Sequence, residues 1–281
     1  MAALPRSFLH LGANLMTTRV SQRLKSARQA IPAQEKTYRD LIKVISTTAF
    51  GRDAQITANL PYAEFQKRVP LRVYEEFQPY IDRIKAGEAN ILWTGKCSLF
   101  ALTSGMTSGR TKQIPVTDAL LKHFRQAGSD SLLYYSARVG HTGVFQGRHL
   151  LLGGSTALAP LETTSGHPSF AGDLSAIAAL NLPTWAEQHL YEPGAEIAQI
   201  TDWPKKLAAI AERTVGKDIT LVGGIPNWLI VLAQAVLTRS INGKIRPTYL
   251  KAVWPNLECL VHGGVPIGPF IEEIRAIVGP K

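Results

Sequence analysis

Between Leu102 and Lys112 the chain reads Leu-Thr-Ser-Gly-Met-Thr-Ser-Gly-Arg-Thr-Lys, directly after the apolar run Ser98–Leu102. The stretch combines two glycines, a series of hydroxyl side chains and two cations. Glycines let backbone N–H groups approach phosphate oxygens, hydroxyls donate further hydrogen bonds, and Lys112 or Arg110 offsets negative charge. The spacing from Gly105 to Gly109 is not that of a Walker A loop, and no Gly-Lys-Ser/Thr follows. A GxGxxG dinucleotide fingerprint occurs nowhere in the chain. On composition alone, a flexible Ser/Thr/Gly surface loop is as good a reading as a phosphate cradle.

A second candidate is Ser155. The run His149–Leu152 enters Gly153-Gly154-Ser155-Thr156-Ala157, which approximates a strand followed by a nucleophile elbow. Asp202 and His262 lie in the chain order expected of an orienting acid and a base. Ala157 stands where the sharp turn wants a second glycine, so a plain Gly-Ser turn at a strand end is the stronger reading. His123 follows an apolar helical pattern and is expected to face solvent. His141, His149, His167 and His189 show no ligand-like spacing.

The elements that must position these groups follow from the apolar spacing. Tyr38, Leu41, Ile42 and Ile45 form one helical stripe, and Tyr74, Phe77, Ile81 and Ile84 a second. Pro61 and Pro70 punctuate the interval between them. After about residue 98, short apolar runs ending in glycine alternate with helical patterns. His149–Leu152 meets Gly153-Gly154, Ile219–Val222 meets Gly223-Gly224, and Leu257–Val261 meets His262-Gly263-Gly264. Asp173–Leu180, Pro204–Val215 and Asn227–Thr238 are the intervening helices. Alternation of this kind predicts an α/β fold with a mostly parallel sheet covered by helices, and ligands outside the carboxyl ends of the strands.

Composition excludes several classes. The chain has 281 residues, 45% hydrophobic and 19% charged, which describes a globular protein and not a disordered one. Cys97 and Cys259 cannot build a disulfide framework, so a reducing, cytoplasmic compartment is expected. No metal-binding cluster, membrane span or signal peptide is legible. The net charge of +10 is concentrated near the start, where residues 1–70 hold 11 Lys and Arg against 4 Asp and Glu. Arg19, Arg23, Lys25 and Arg28 are expected to lie on one helix. Without interleaved aromatics or a recognisable motif, a solvated basic face is preferred to a nucleic-acid surface.

The segment Thr103-Ser104-Gly105-x-Thr107-Ser108-Gly109-x-x-Lys112-x-Ile114-Pro115 resembles the phosphate-binding motif of the auxin-responsive (Gretchen Hagen) family of acyl-acid amido synthetases, within the adenylate-forming superfamily. The resemblance continues in family order. It takes in Phe65-Gln66-x-x-Val69-Pro70-x-x-x-Tyr74-Glu75, Pro79-Tyr80-Ile81, Gly153-Gly154-Ser155 and Gly172-Asp173-Leu174-Ser175. Downstream lie Tyr191-Glu192-Pro193-Gly194, Gly224-Ile225-Pro226-x-Trp228, Trp254-Pro255-Asn256-Leu257-Glu258 and His262-Gly263-Gly264. Bacterial members look closer than plant ones.

The resemblance implies the large N-terminal domain of an adenylate-forming enzyme, incomplete at its C-terminal end. Residues 1–90 would form a helical segment packed on an α/β nucleotide- and acyl-binding domain at 91–281. A small carboxylic acid would attack ATP, with Mg²⁺ present, giving an acyl-adenylate that an amino acid or amine then captures. Thr103, Ser104, Gly105, Met106, Thr107, Ser108, Gly109 and Lys112 would hold the phosphates, with Ser104 and Lys112 the main catalytic candidates. His262, Gly263 and Gly264 would lie beside the nucleotide. Gly224, Ile225, Pro226 and Trp228 would border the acyl pocket.

Two departures stand out. Met106 replaces the usual Thr and removes one hydroxyl donor. The family's Tyr-x-x-Ser-Glu and Tyr-Arg-x-Gly-Asp motifs and its C-terminal domain are not found before Lys281. A truncated synthetase is therefore expected, with a non-catalytic nucleotide- or acid-binding remnant as the alternative. An uncovered sheet face would favour self-association.

Overall fold

The apolar runs that end in glycine are strands, and among the described residues they are divided between two four-stranded sheets. The computed structural model describes residues 6–25, 30–103, 111–163, 166–239 and 247–280. Five helices come first: α1 (Arg6–Lys25), α2 (Ala30–Ile45), α3 (Ala49–Asp53), α4 (Tyr62–Arg68) and α5 (Tyr74–Lys85). Strands β1 (Leu99–Leu102) and β2 (Gln113–Pro115) lead into α6 (Asp118–Val139), followed by β3 (Arg148–Leu151), β4 (Ala159–Pro160) and β5 (Phe170–Gly172). Helices α7 (Leu174–Leu180) and α8 (Thr184–His189) precede β6 (Tyr191–Glu192), α9 (Ala195–Ala198) and α10 (Trp203–Thr214). The last third holds β7 (Ile219–Gly224), α11 (Pro226–Leu237), α12 (Leu250–Val253), β8 (Cys259–His262) and α13 (Ile271–Val278). Among the described residues, four of the six strand pairings are parallel.

The chain forms two compact units. The first comprises Met1–Ser21, Gln126–Ala157 and Ala178–Lys281, and the second Gln22–Arg125 and Leu158–Ile177.

The first unit is built on the all-parallel sheet β6-β3-β7-β8. Strand β7 is buried at its first five positions, as a central parallel strand covered on both faces must be. Leu207, Ile210 and Ala211 of α10 and Leu229, Leu232, Ala233 and Val236 of α11 pack with Leu150, Ile219 and Val222. Leu221 points to the opposite face, where it meets Val144 and Cys259. Trp254 is fully buried in the α10–α11 layer, and its indole N–H donates to the carbonyl of Thr214 at 2.9 Å. The large ring is buried with its polar atom satisfied.

The second unit carries the sheet β2-β1-β5-β4, in which β1 is antiparallel to β2 and parallel to β5. Phe100, fully buried, packs with Ala49, Ile81, Ile84 and Ile91 on one face. Ala101 packs with Val116, Leu121 and Ile177 on the other. Ile42, Phe50, Ile56 and Leu60 form a satellite core. Its rim holds Tyr38 and Phe65 edge to face at 5.9 Å.

Candidate functional site

In the second unit, β1 and β2 form a hairpin whose register pairs Phe100 with Pro115, Ala101 with Ile114 and Leu102 with Gln113. The connection between the strands is the glycine- and hydroxyl-rich segment. Its stem is closed twice: the Thr103 N–H donates to the Lys112 carbonyl, and the Thr103 hydroxyl oxygen accepts from the Lys112 N–H, each at 3.1 Å. Ser104, Gly105, Met106, Thr107, Ser108, Gly109 and Arg110 lie outside the described residues. The half-buried Lys112 directs its ammonium over the Tyr74 ring, 5.3 Å from the centroid. The Tyr74 hydroxyl donates to the Gln113 carbonyl at 3.1 Å and accepts from the Gln113 N–H at 2.9 Å. Beyond β2, the Thr117 hydroxyl accepts from the Leu120 N–H at 3.2 Å and opens α6 as a cap.

The other candidates belong to the first unit. There the parallel strands end side by side: β3 before Gly153-Gly154, β7 at Gly223-Gly224 and β8 at His262. Gly224 and His262 are register partners across β7 and β8. Two sequence landmarks 38 residues apart are thereby neighbours, at the edge where such sheets take ligands. A Cβ on Gly224 would lie 3.0 Å from Leu229 and 3.2 Å from Leu152, so a side chain here would have to press its neighbours aside. Gly264 has φ +84, and a Cβ on it would meet Ile225 at 3.3 Å. A Cβ on Gly263 would meet open space. Pro226 starts α11, where a missing N–H costs nothing. Trp228, two residues further, packs against Trp203 with centroids 4.6 Å apart. His262 is exposed.

Two charged groups in the same unit anchor these turns. Lys206 of α10 is buried, at 2% exposure. Its ammonium donates to the carbonyls of Gly153 at 3.2 Å, Gly154 at 2.9 Å and Ala198 at 3.0 Å. Its three donors are matched by three carbonyls, which fixes the turn after β3. Glu192 has no exposed surface and faces three cations: Arg148 Nε, Arg213 Nε and Lys217 Nζ, each at 2.6 Å. Burial alone would raise its pKa, but hydrogen bonds from Lys217 and Arg213 and the charges of Arg148 and Arg213 hold it below the ordinary value. Gly194 has φ +84, and a Cβ there would press on Arg213 at 2.9 Å. The motif Tyr191-Glu192-Pro193-Gly194 thus has a structural use. The resemblance takes in Glu192, but the residue pattern gave neither anchor a role, because lone Lys and Glu residues read as surface.

Ser155 is engaged locally. Its hydroxyl donates to the Gln199 carbonyl at 2.8 Å and accepts from the Ala157 N–H at 3.2 Å. Asp202 accepts from the Lys205 N–H at 2.9 Å and caps α10. This is the Gly-Ser turn, and these three contacts give a hydrolase triad no support. His149 is buried, with Nε2 2.8 Å from the Val144 carbonyl. A carbonyl only accepts, so that nitrogen carries the hydrogen. Burial lowers the His149 pKa against the opposing effect of this bond. Burial also pushes the Cys259 thiol up to about 11 and raises that of Cys97.

In the second unit a cavity of about 480 Å³ is lined by Ile84, Ile91, Leu92, Trp93, Ile114 and Leu120, among others. Among the described residues, no group of three His, Cys, Asp or Glu side chains is placed to hold a metal. No described helix is long and apolar enough to cross a membrane.

Comparison with known proteins identifies the family and the fold. The model of the GH3 family N-terminal domain matches residues 19–281. Over 100 residues the chain is 31% identical to the jasmonoyl–L-amino acid synthetase GH3.3 of Oryza sativa subsp. japonica, covering 35% of this chain and 22% of that protein. It is 24% identical over 102 residues to the jasmonoyl–L-amino acid synthetase JAR4 of Nicotiana attenuata, covering 36% and 18%. The solved structure of the GH3.15 acyl acid amido synthetase superposes with a TM-score of 0.67 at 16% identity, over 93% of this chain and 54% of the other. The α/β fold is therefore that of an acyl-acid amido synthetase, although the chain spans about half the length of that structure. The chain belongs to the GH3 family of acyl-acid amido synthetases, whose N-terminal domain it carries.

Proposed function

We propose that this chain is the ATP- and acid-binding part of an enzyme that joins a carboxylic acid to an amino acid or amine. The observation that carries this reading is the register pairing of Gly224 with His262, which makes neighbours of the acyl-side turn and the nucleotide-side glycines. The acyl group and the adenine end up in one acyl-adenylate, and the turns assigned to them share one sheet edge. In the reaction, a carboxylate oxygen bonds to the α-phosphorus and pyrophosphate leaves. The amine nitrogen then attacks the acyl carbon, AMP departs and the amine gives up a proton.

Each residue has a place in this scheme. The segment between Thr103 and Lys112 receives the phosphates through backbone N–H and hydroxyl groups, with the stem pair fixing where it begins and ends. Lys112 offsets the charge that develops on the phosphate oxygens; positioning and charge are what such a transfer needs. Gly263, with open space around it, leaves room for a flat base, and the Gly224–Trp228 turn bounds the acyl group. Mg²⁺ would come with the triphosphate and offset part of its charge.

One observation favours a second place for the acid. The cavity of about 480 Å³ in the second unit falls within the size range of small-ligand sites. Ala119 also lines that cavity, and Ala119→Trp would fill it, whereas Trp228→Ala would open the turn; the variant that abolishes acid dependence marks the pocket.

Carboxylate-dependent ATP–pyrophosphate exchange, measured on the protein that carries this chain, tests the reading as a whole. Ser104→Ala and Lys112→Met are expected to depress exchange at least about tenfold. Unchanged exchange in both variants would remove the assignment.

A further inference from the structure

The Tyr74 side chain makes two kinds of contact with the loop stem, and the proposed function uses neither. Its hydroxyl bridges both backbone polar groups of Gln113, the residue directly after Lys112, at 2.9 and 3.1 Å. Its ring lies under the Lys112 ammonium at 5.3 Å. Tyr74 comes from the first turn of α5 and Gln113 from β2, 39 residues apart. The bridge is therefore a tertiary device and does not arise from local turn chemistry.

Resting on the phosphate-binding reading of the loop, we propose that Tyr74 is a positioning residue for Lys112. The hydroxyl pins the start of β2, and so fixes the lysine's backbone. The ring face draws the ammonium by its negative quadrupole and narrows where the long side chain points. A lysine left free would lose rotamer freedom each time it met a phosphate. One already held over a ring at the loop's end has lost part of that freedom before the anion arrives, which is preorganisation in the sense of electrostatic catalysis.

Binding of inorganic pyrophosphate to the chain, followed by calorimetry, tests this through a double-mutant cycle. Tyr74→Leu removes ring and hydroxyl together. It is expected to weaken pyrophosphate about fivefold when Lys112 is present, and to change nothing further in a Lys112→Met background. Tyr74→Phe keeps the ring and is expected to recover most of the Lys112-dependent affinity. Circular dichroism and the thermal midpoint check that each variant is folded. An equal loss in both backgrounds would show Tyr74 to be merely structural and overturn the proposal. Wild-type affinity in Tyr74→Leu would do the same and leave the phosphate site standing. Wild-type protein that binds neither pyrophosphate nor ATP would overturn this proposal and the functional reading together.

Discussion

The ammonium of Lys206 lies 2.9 Å from the carbonyl oxygen of Gly154, inside the first unit, on a side chain that is almost wholly buried. The charge is shared with the carbonyls of Gly153 and Ala198, so a buried cation fixes the Gly-Gly turn where β3 ends. Lys206→Met keeps the length of the stem but leaves three carbonyls without their donor. The expected cost is about 3 kcal/mol, read as a lower urea midpoint with an unchanged slope. Wild-type stability in this variant would mean that the turn is held by packing alone.

Glu192 gives a second prediction. Its pKa is held below the ordinary 4.5 by the cations around it, so its contribution is complete above that value and is lost as pH falls through the folded-state pKa. Glu192→Gln leaves Arg148, Arg213 and Lys217 facing a neutral amide. A loss of about 3 kcal/mol is expected at neutral pH, shrinking as the wild type is acidified. Parallel stability curves for the two proteins would contradict this.

His149 acts through burial. Its pKa is lowered from 6.5, so the unfolded chain binds a proton at a higher pH than the folded one. Stability therefore falls as pH drops below about 6.5, and the stabilising neutral form is fully present above it. His149→Gln, whose amide N–H can still donate to Val144, is expected to flatten the stability profile below about pH 6.5. An unaltered slope would assign that dependence to other groups.

The glycines of the strand ends separate folding from binding. Gly263→Ala enters open space, so its unfolding free energy is expected to stay within about 0.5 kcal/mol of wild type while ATP binds more weakly. Gly224→Ala is expected to cost about 1–2 kcal/mol, because its methyl presses on Leu152 and Leu229. If Gly263→Ala folds and binds ATP as the wild type does, no base lies against Gly263.

Much of this architecture was legible in the spacing of apolar residues. The stripe Leu207, Ile210, Ala211 and Thr214 is buried as the 3.6-residue period requires. The run Ile219–Val222 is a strand buried on both faces. Glycine punctuation marked the ends of β3, β7 and β8 because a parallel strand must turn sharply into its crossover. Strands β4 and β6 were not legible, since two residues carry no period. Helix α2 is only partly one-sided: Ile42 is buried, but Leu41 is 43% exposed. The ionic anchors were hidden for another reason. Glu192 finds Arg148, Arg213 and Lys217 only after β3, β6 and α10 have assembled, and Lys206 meets Gly154 across 52 residues. Pairing at such separations leaves no local pattern.

Binding of ATP to the chain in the presence of Mg²⁺, compared between wild type and Lys112→Met, tests the central claim most directly. Saturable binding weakened at least about fivefold by the substitution is the predicted result. Absence of binding, or equal affinity in the two proteins, would contradict the assignment of the Thr103–Lys112 segment as the phosphate site.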